Sequence, residues 1–354
     1  MVMFGCQINS FGNVEATIEA CLRAEKSGFN LVTLPDHLFH PLDKLFLPEP
    51  AWDAYVILSY VAARTKELKL GPGVSDVIRR HPATLLNEVV TLDHASQGRA
   101  FLALGAGEIF NFYPLKEIKF KRPVKRLEEA IMVIRSLLAS TQEHPAYFEG
   151  EFYKLSSGYL GLKPYKGRKL PIYVGGYGPR MLRLVATLSD GWIPWMNAPE
   201  QFEDDLREVK KMASEAGRDP DEIEALPIVF SDIDIDGEAA KARLLSRTKV
   251  CLALRKRLLE RLGLKNIAEV DLWNTPLVSE DISRVYKIAG LIPDEVALRV
   301  MAAGHRDEVI GVIERFVKAG ATAFIMEPPI ERIFETIEAY GRWVIPYFRD
   351  TSRA

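Results

Sequence analysis

Short apolar segments alternate with amphipathic segments of helical period along most of the chain. The apolar segments predict strands at residues 3–8, 29–34, 68–74, 99–105, 171–174, 191–194, within 223–235 and at 321–326. The helical periodicity predicts helices at residues 14–27, 51–65, 83–94, 124–138, 179–189, 202–216, 307–319 and 331–347. Continuous apolar strands separated by helices indicate a parallel sheet that is buried on both faces.

Eight strands alternating with at least eight helices are the count of a (β/α)8 TIM barrel, an α/β fold. The structural alternative is an open, doubly wound sheet, which typically has fewer strands and a topological switch. Two segments interrupt the alternation: an insertion after strand four (about residues 110–168, with a predicted hairpin near 144–155) and a helical excursion after strand seven (about 238–300). We expect a single domain over residues 1–354.

The composition of the chain argues against several classes of function. The chain is 48% hydrophobic and 27% charged, and its formal net charge of −2 gives no reason to expect nucleic acid as a partner. No stretch approaches the roughly 18 consecutive apolar residues of a membrane span, and the N-terminus lacks the features of a signal peptide. Cys6, Cys21 and Cys251 are widely spaced without a CxxC motif, which predicts reduced thiols in a cytoplasmic protein.

Active sites of barrels lie at the carboxyl ends of the strands, so the residues just after each predicted strand are informative. Polar residues or glycines stand there: Gln7 and Asn9, Asp36 and His37, Ser75 and Asp76, Gly107, Glu108 and Asn111, Gly175–Gly178, Trp195 and Asn197, and Glu327. The position of His37 favours a catalytic role over a structural hydrogen-bonding role. A metal site built on Asp36, His37 and His40 is an alternative, although the other strand ends offer few further ligands.

Two glycine-rich segments suggest ligand contacts. Glu108 follows Gly105-Ala106-Gly107, and a carboxylate in a partly dry pocket has a raised pKa suited to general acid catalysis. A solvated loop glutamate is the alternative. Gly175–Gly178 precedes a predicted helix that starts at Pro179, and free N–H groups at such a turn bind phosphate. A short loop that merely requires glycine is the alternative there, and the GxGxxG dinucleotide spacing is absent.

At these residues the chain resembles the luciferase-like monooxygenase superfamily of flavin and deazaflavin oxidoreductases. The resemblance rests on Asp36-His37, on Gly105-Ala106-Gly107-Glu108 with Asn111, and on the glycine turn, and it covers nearly the whole chain. Within the superfamily, the chain is similar to the branch that depends on coenzyme F420. It resembles the methylenetetrahydromethanopterin reductases and the phthiodiolone-type ketoreductases of that branch. The resemblance implies a TIM barrel with an insertion after strand four and hydride transfer between coenzyme F420 and a small organic substrate.

The resemblance also implies roles for individual residues. His37 and Glu108 match the catalytic pair, in which one residue stabilises developing charge and the other handles the proton; the assignment between them stays open. The implied cofactor-binding residues are Asp36, Gly73, Val74, Ser75, Asn111, Gly175, Gly176, Tyr177 and Gly178. Gly73-Val74 matches a non-proline cis peptide of the deazaflavin enzymes, and no metal is implied.

Some residues depart from the family pattern. No tryptophan follows His37 within residues 38–41, which argues against a sugar-phosphate substrate, and Gln7, Asn9 and Ser10 stand where some members carry a glutamate. An FMN-dependent monooxygenase, a cofactor-binding protein without turnover and a metal-dependent hydrolase remain alternatives. We expect a homodimer, and we expect residues 238–300, including 250–254 and 270–273, to determine substrate specificity or to serve dimer packing.

Overall fold

The computed structural model describes residues 2–9, 12–39, 51–268 and 271–351, and within them eight parallel strands form a closed barrel. These strands are Met3–Gln7, Leu31–Leu34, Lys69–Pro72, Leu102–Gly105, Ile172–Val174, Gly191–Trp192, Ile228–Ile233 and Ala323–Glu327. We refer to them as the first to the eighth barrel strand. Each lies within or beside one of the predicted apolar segments, so the predicted (β/α)8 barrel is confirmed.

Parallel pairing closes the ring of strands. The first strand pairs with the second and with the eighth, and the seventh also pairs with the eighth. The second strand pairs with the third, and the fourth, fifth and sixth pair in order. Bridges at Leu70–Ala100 and Trp195–Ile228 join the remaining neighbours. The alternative of an open, doubly wound sheet is therefore wrong.

Helices cover the outside of the barrel. They are Val14–Lys26, Ala54–Arg64, Pro82–Ala95, Pro123–Ala139, Pro179–Leu188, Pro199–Glu215 and Arg306–Lys318, with Ile333–Ala339, the π-helical Tyr340–Val344 and Ile345–Thr351 at the C-terminal end. Four of them begin at a proline. Proline suits the first turn because the N–H it lacks has no intrahelical acceptor there.

The segment after the fourth strand contains the predicted long helix and hairpin. A short helix, Ile109–Phe112, precedes the helix Pro123–Ala139, and Ala146–Glu149 then pairs antiparallel with Lys154–Gly158. A 3-10 turn at Tyr165–Gly167 leads back to the barrel.

The excursion after the seventh strand is mainly helical. Its elements are the helices Gly237–Ala253, Lys256–Arg261, Ser279–Leu291 and Asp294–Leu298, a 3-10 turn at Leu272–Asn274, and the strand Met301–Gly304. That strand extends the sheet beside the seventh barrel strand. The excursion has its own apolar cluster, which includes Phe230 and packs against Trp195. It therefore rests on the carboxyl ends of the sixth and seventh strands.

Smaller elements complete the fold: short strands at Ser75–Asp76 and Glu224–Ala225, and 3-10 turns at Pro220–Glu222 and Ile330–Arg332. Inside the barrel, Phe101, Tyr173, Ile193 and Ile325 form part of a buried apolar layer. This layer fills the barrel below the strand ends and leaves the carboxyl end for a ligand.

The three cysteines are buried and free. Over the described ranges, no helix combines the length and the apolar character that crossing a membrane requires.

Candidate active site

A cavity of about 470 Å³ lies at the carboxyl ends of the barrel strands. Nine of the eleven predicted site residues line it: Asp36, His37, Gly73, Val74, Glu108, Asn111, Gly175, Gly176 and Tyr177. The other two residues lie next to this lining. Ser75 hydrogen-bonds Asp36, and Gly178 follows Tyr177 directly in the chain. Predicted residues from four separate loops therefore share one cavity.

His37 and Glu108 reach this cavity from different strands. His37 lies in the loop after the second barrel strand, and Glu108 lies in the loop after the fourth. The His37 Nδ1 and Glu108 Oε2 atoms are 3.8 Å apart, and 20% and 23% of the two side chains remain exposed. The pair is mostly shielded from water but accessible to a small ligand.

The two side chains differ in their affinity for a proton. Burial and the negative charge of Asp76 raise the pKa of the Glu108 carboxyl to about 7. Burial and the positive charge of Arg79 together lower the pKa of the His37 imidazole to about 4. Between about pH 4 and 7 the proton of this pair therefore resides on Glu108, and His37 is neutral. Such a pair offers an acid near neutral pH beside an uncharged hydrogen-bonding group.

The glycine before Glu108 has a steric reason. Gly107 has a φ of +82°, and a Cβ added there would lie 3.2 Å from the side chains of Ile78 and Phe112. Another residue would be strained in this backbone conformation and crowded by its neighbours. Gly107 thus lets the chain turn sharply after the fourth strand and present Glu108 to the cavity.

The Asp36 carboxylate points into an internal network, and only 1% of the side chain is exposed. The Ser75 hydroxyl donates to Asp36 Oδ2 at 2.7 Å, and Arg79 Nη2 and Arg80 Nε lie 3.3 and 3.4 Å from the carboxylate oxygens. Burial acts to raise the pKa of Asp36, but the charges of Arg79 and Arg80 hold it below the usual value. Asp36 is therefore an anionic anchor for its loop, and Ser75, which also hydrogen-bonds Tyr55, is part of that anchor.

The Gly73-Val74 peptide bond is cis, as the resemblance implied. The Val74 side chain occupies space that glycines leave open: a Cβ added at Gly105 would lie 2.6 Å from Val74 Cγ2, and one at Gly175 would lie 3.1 Å from Cγ1. On the other side, a Cβ at Gly73 would lie 2.5 Å from Gln7 Oε1. Gly105 and Gly175, from two loops, thus make room for the Val74 side chain at the bottom of the cavity, and Gly73 makes room for the Gln7 side chain.

The glycine turn after the fifth strand forms another part of the wall. Gly176 and Gly178 have φ values of +122° and +95°, and the helix Pro179–Leu188 begins directly afterwards. Arg257, from the excursion, places its guanidinium against Gly178 where a side chain would otherwise lie. Backbone N–H groups, a helix N-terminus and a cation together make a favourable environment for an anion.

Arg255 is a site residue that the sequence analysis missed. It lies between the first two helices of the excursion, and 3% of the residue is exposed. Its Nε donates to the Tyr177 hydroxyl at 2.8 Å, its Nη1 donates to the Trp195 carbonyl at 2.6 Å, and its guanidinium stacks on the Tyr177 ring. These partners are 78 and 60 residues away in sequence, so no local spacing could have revealed the contact.

Another carboxylate lines the cavity at the end of the eighth strand. Glu327 accepts hydrogen bonds from Trp195 Nε1 at 2.8 Å and from Arg247 Nη2 at 2.6 Å. Burial raises its pKa, but the Arg247 charge acts in the opposite direction. Arg247 also stacks on the Phe230 ring at 4.7 Å. Because donors surround its carboxylate, Glu327 is less suited than Glu108 to proton transfer.

The metal alternative gains no support from the geometry. Among the residues that the structure describes, no three His, Cys, Asp or Glu side chains converge as a metal site, and Asp36 is bonded to arginines. His40, the third ligand of that alternative, lies outside the described residues.

Three comparisons place the chain among known proteins. The family model described as luciferase-like monooxygenase matches residues 4–323. The 5,10-methylenetetrahydromethanopterin reductase of Archaeoglobus fulgidus is 29% identical over 333 residues, which cover 91% of this chain and 92% of that protein. The phthiodiolone/phenolphthiodiolone dimycocerosates ketoreductase of Mycobacterium kansasii is 36% identical over 170 residues, or 48% of this chain and 45% of that protein.

A solved structure gives the same relationship in three dimensions. The coenzyme F420-dependent tetrahydromethanopterin reductase of Methanopyrus kandleri superposes with a TM-score of 0.80 at 25% identity. The superposition covers 98% of this chain and 99% of that one. The two chains therefore share the barrel fold over nearly their whole length.

Proposed function

Because this chain belongs to the luciferase-like monooxygenase family, we propose that it is a coenzyme F420-dependent oxidoreductase acting on a small organic substrate. The observation that carries the proposal is the pairing of His37 with Glu108, 3.8 Å apart, inside the cavity at the barrel mouth. A reductase needs one group that moves a proton and one that steadies the charge on the reacting carbonyl or imine. The pair supplies both.

The cavity walls fit a deazaflavin cofactor. Gly105 and Gly175 leave space that the Val74 side chain occupies, so the bottom of the cavity is apolar and suits a flat ring. The turn Gly175–Gly178 suits the phosphate of the cofactor, and Arg255 steadies Tyr177 within it. When bound, the deazaflavin supplies a ring carbon that gives or takes a hydride in one two-electron step.

We assign the proton to Glu108 and the neutral hydrogen-bonding role to His37. The pKa of Glu108, raised to about 7, makes its carboxyl a donor at neutral pH and its carboxylate an acceptor in the reverse direction. The pKa of His37 lies near 4, so the imidazole stays uncharged and orients the substrate oxygen or nitrogen. The shielded position of the pair strengthens both interactions.

The remaining implied cofactor residues other than Asn111 divide into two groups. Gly73, Val74 and Tyr177 lie on the cavity surface, where they would contact the cofactor directly. Asp36 and Ser75 act through the network that holds the loop of His37, because their polar side-chain groups are bonded to each other. Asn111 has a different role.

The experiment that tests this function is a titration of the purified protein with coenzyme F420 and, separately, with FMN. We expect saturable binding of F420 and weaker binding of FMN. Tight FMN binding with oxygen-dependent turnover, and no binding of F420, would instead identify a flavin monooxygenase.

The substrate class is of alcohol, ketone or methylene-pterin type, and a screen identifies it. In one direction, secondary alcohols are tested as substrates and the reduction of F420 is followed. In the other direction, ketones and methylene-pterins are tested and the oxidation of reduced F420 is followed. A protein that binds the cofactor but turns over none of these classes would refute the proposed reaction. His37→Ala and Glu108→Gln should each lower turnover at least roughly tenfold and leave F420 affinity within a few-fold.

We further propose that the chain works as one domain, in the cytoplasm, and as a homodimer. The excursion contributes Arg247 and Arg255 to the barrel cavity, which supports a single functional unit. Three free, buried thiols fit a reducing compartment. Val56 and Tyr60, 71% and 51% exposed, form an apolar stripe four residues apart on the helix Ala54–Arg64, which supports a self-association surface. Light scattering that shows a monomer at micromolar concentration would refute the dimer.

A further inference from the structure

The distance between His37 and Glu108 depends on two loops that no direct sheet pairing connects. His37 follows the second barrel strand and Glu108 follows the fourth, and the third strand lies between them. A displacement of about 1 Å between reacting groups lowers rates by as much as 10²-fold. Some contact beyond the sheet must therefore hold the two loops in register.

Asn111 makes such a contact. Its side-chain Oδ1 accepts a hydrogen bond from the Leu38 backbone N–H at 2.8 Å and another from the Phe39 backbone N–H at 3.2 Å. Leu38 directly follows His37. The side chain of Asn111 thus binds the loop of His37 at the two residues next to the catalytic group.

Asn111 is also attached rigidly to Glu108. Its backbone N–H donates to the Glu108 carbonyl at 3.0 Å, within the short helix Ile109–Phe112 that begins just after Glu108. Only 2% of Asn111 is exposed, so water does not compete for its oxygen. One residue therefore links the backbone that carries Glu108 to the backbone that follows His37.

The chemistry of the side chain fits this linking role. An amide oxygen has two lone pairs and accepts two N–H groups, and it adds no charge close to the Glu108 carboxyl. Leucine has a similar size but no acceptor, and it would leave both N–H groups without this partner. Aspartate keeps the acceptor and adds a negative charge.

We propose that Asn111 is a positioning residue that sets the spacing of His37 and Glu108, rather than primarily a ligand of the cofactor. The inference rests on the proposed function, in which these two residues act together. It assigns a role that the family resemblance did not give to this residue.

The test compares N111L and N111D with the unchanged protein and with N30L. Asn30 is a matched control: its Oδ1 accepts the Phe4 backbone N–H at 2.8 Å, but it lies before the second strand, at the end of the barrel opposite the cavity. Three quantities are measured: hydrogen exchange of the Leu38 and Phe39 amides, the F420 dissociation constant and kcat at saturating F420.

We expect N111L to accelerate exchange of both amides at least about tenfold, to lower kcat at least about tenfold, and to leave F420 affinity within about threefold. N111D, which retains the acceptor, should restore the protection of the amides. N30L should match the unchanged protein in kcat and in exchange at Leu38 and Phe39.

Two outcomes would overturn the inference. One is unchanged amide protection and kcat in N111L; the other is an F420 affinity lowered at least tenfold with kcat retained at saturation, which would make Asn111 a cofactor ligand. If the unchanged protein neither binds nor turns over F420, the proposed function fails instead. The exchange measurement still tests the link between the loops in that case, because it needs no cofactor.

Discussion

Substituting Glu108 by glutamine should change how the stability of the protein depends on pH. The pKa of Glu108 is raised from 4.5 to about 7 in the folded protein, so the folded state binds this proton more tightly than the unfolded chain. A group of this kind stabilises the fold fully below its unfolded pKa, and that contribution is lost as pH rises through the folded value. E108Q removes this group. The free energy of unfolding of E108Q, relative to that of the unchanged protein, should therefore increase from pH 5 to pH 8.

The size of the effect follows from the two pKa values. A tenfold change in proton affinity corresponds to about 1.4 kcal/mol, and integration from pH 5 to pH 8 gives about 2.5 kcal/mol for a fully shielded group. Since 23% of the Glu108 side chain is exposed, we expect about 2 kcal/mol. His37 does not obscure this difference, because its pKa near 4 keeps it neutral over the whole interval.

The assay is urea denaturation of both proteins at pH 5 and at pH 8, without cofactor. The quantity of interest is the free energy of unfolding of E108Q minus that of the unchanged protein, which should rise by about 2 kcal/mol between the two pH values. E143Q, at an exposed position in the turn before the hairpin, serves as a control and should show no such rise. A difference for E108Q that stays constant within about 0.5 kcal/mol would refute the shielded environment assigned to Glu108.

Three further predictions concern the cavity. Turnover in the direction of substrate reduction should fall as pH rises through about 7, and the pH–rate profile of E108Q should lack this step. R255A should weaken F420 binding about tenfold in a titration, because it frees Tyr177 from its hydrogen bond, and R255K should recover only part of the loss. G105A should lower the free energy of unfolding by about 1–3 kcal/mol, since its Cβ would lie 2.6 Å from Val74 Cγ2; an unchanged urea midpoint would contradict the packing described at the bottom of the cavity.

Much of the barrel could be predicted because its signal is local. Buried parallel strands are continuous apolar runs, and the positions after them are the ones that meet at the carboxyl end of a barrel. This is why residues as far apart in sequence as His37 and Glu108 could be expected in one cavity. The cis peptide at Gly73-Val74 followed from family resemblance alone, since the crowding by Gln7 is visible only in three dimensions.

The rest of the site depends on contacts that sequence spacing does not encode. Asp36 was expected to bind the cofactor, and it lines the cavity, but the contacts of its carboxylate with Arg79 and Arg80 after the third strand could not be predicted. Arg255 reaches the glycine turn from a helical excursion whose packing direction no periodicity determines. Part of the excursion that the sequence analysis singled out, at residues 269–270, lies outside the described residues, as does His40.

The most direct test of the account is an anaerobic reaction with F420 that has been reduced so as to carry deuterium at the transferable position. The protein is mixed with this cofactor and with ketones or methylene-pterins, and the products are analysed by mass spectrometry. We expect deuterium in the product, formed at a rate that E108Q and H37A each lower at least roughly tenfold. Product formed without deuterium, or formed only with reduced FMN and oxygen, would contradict it.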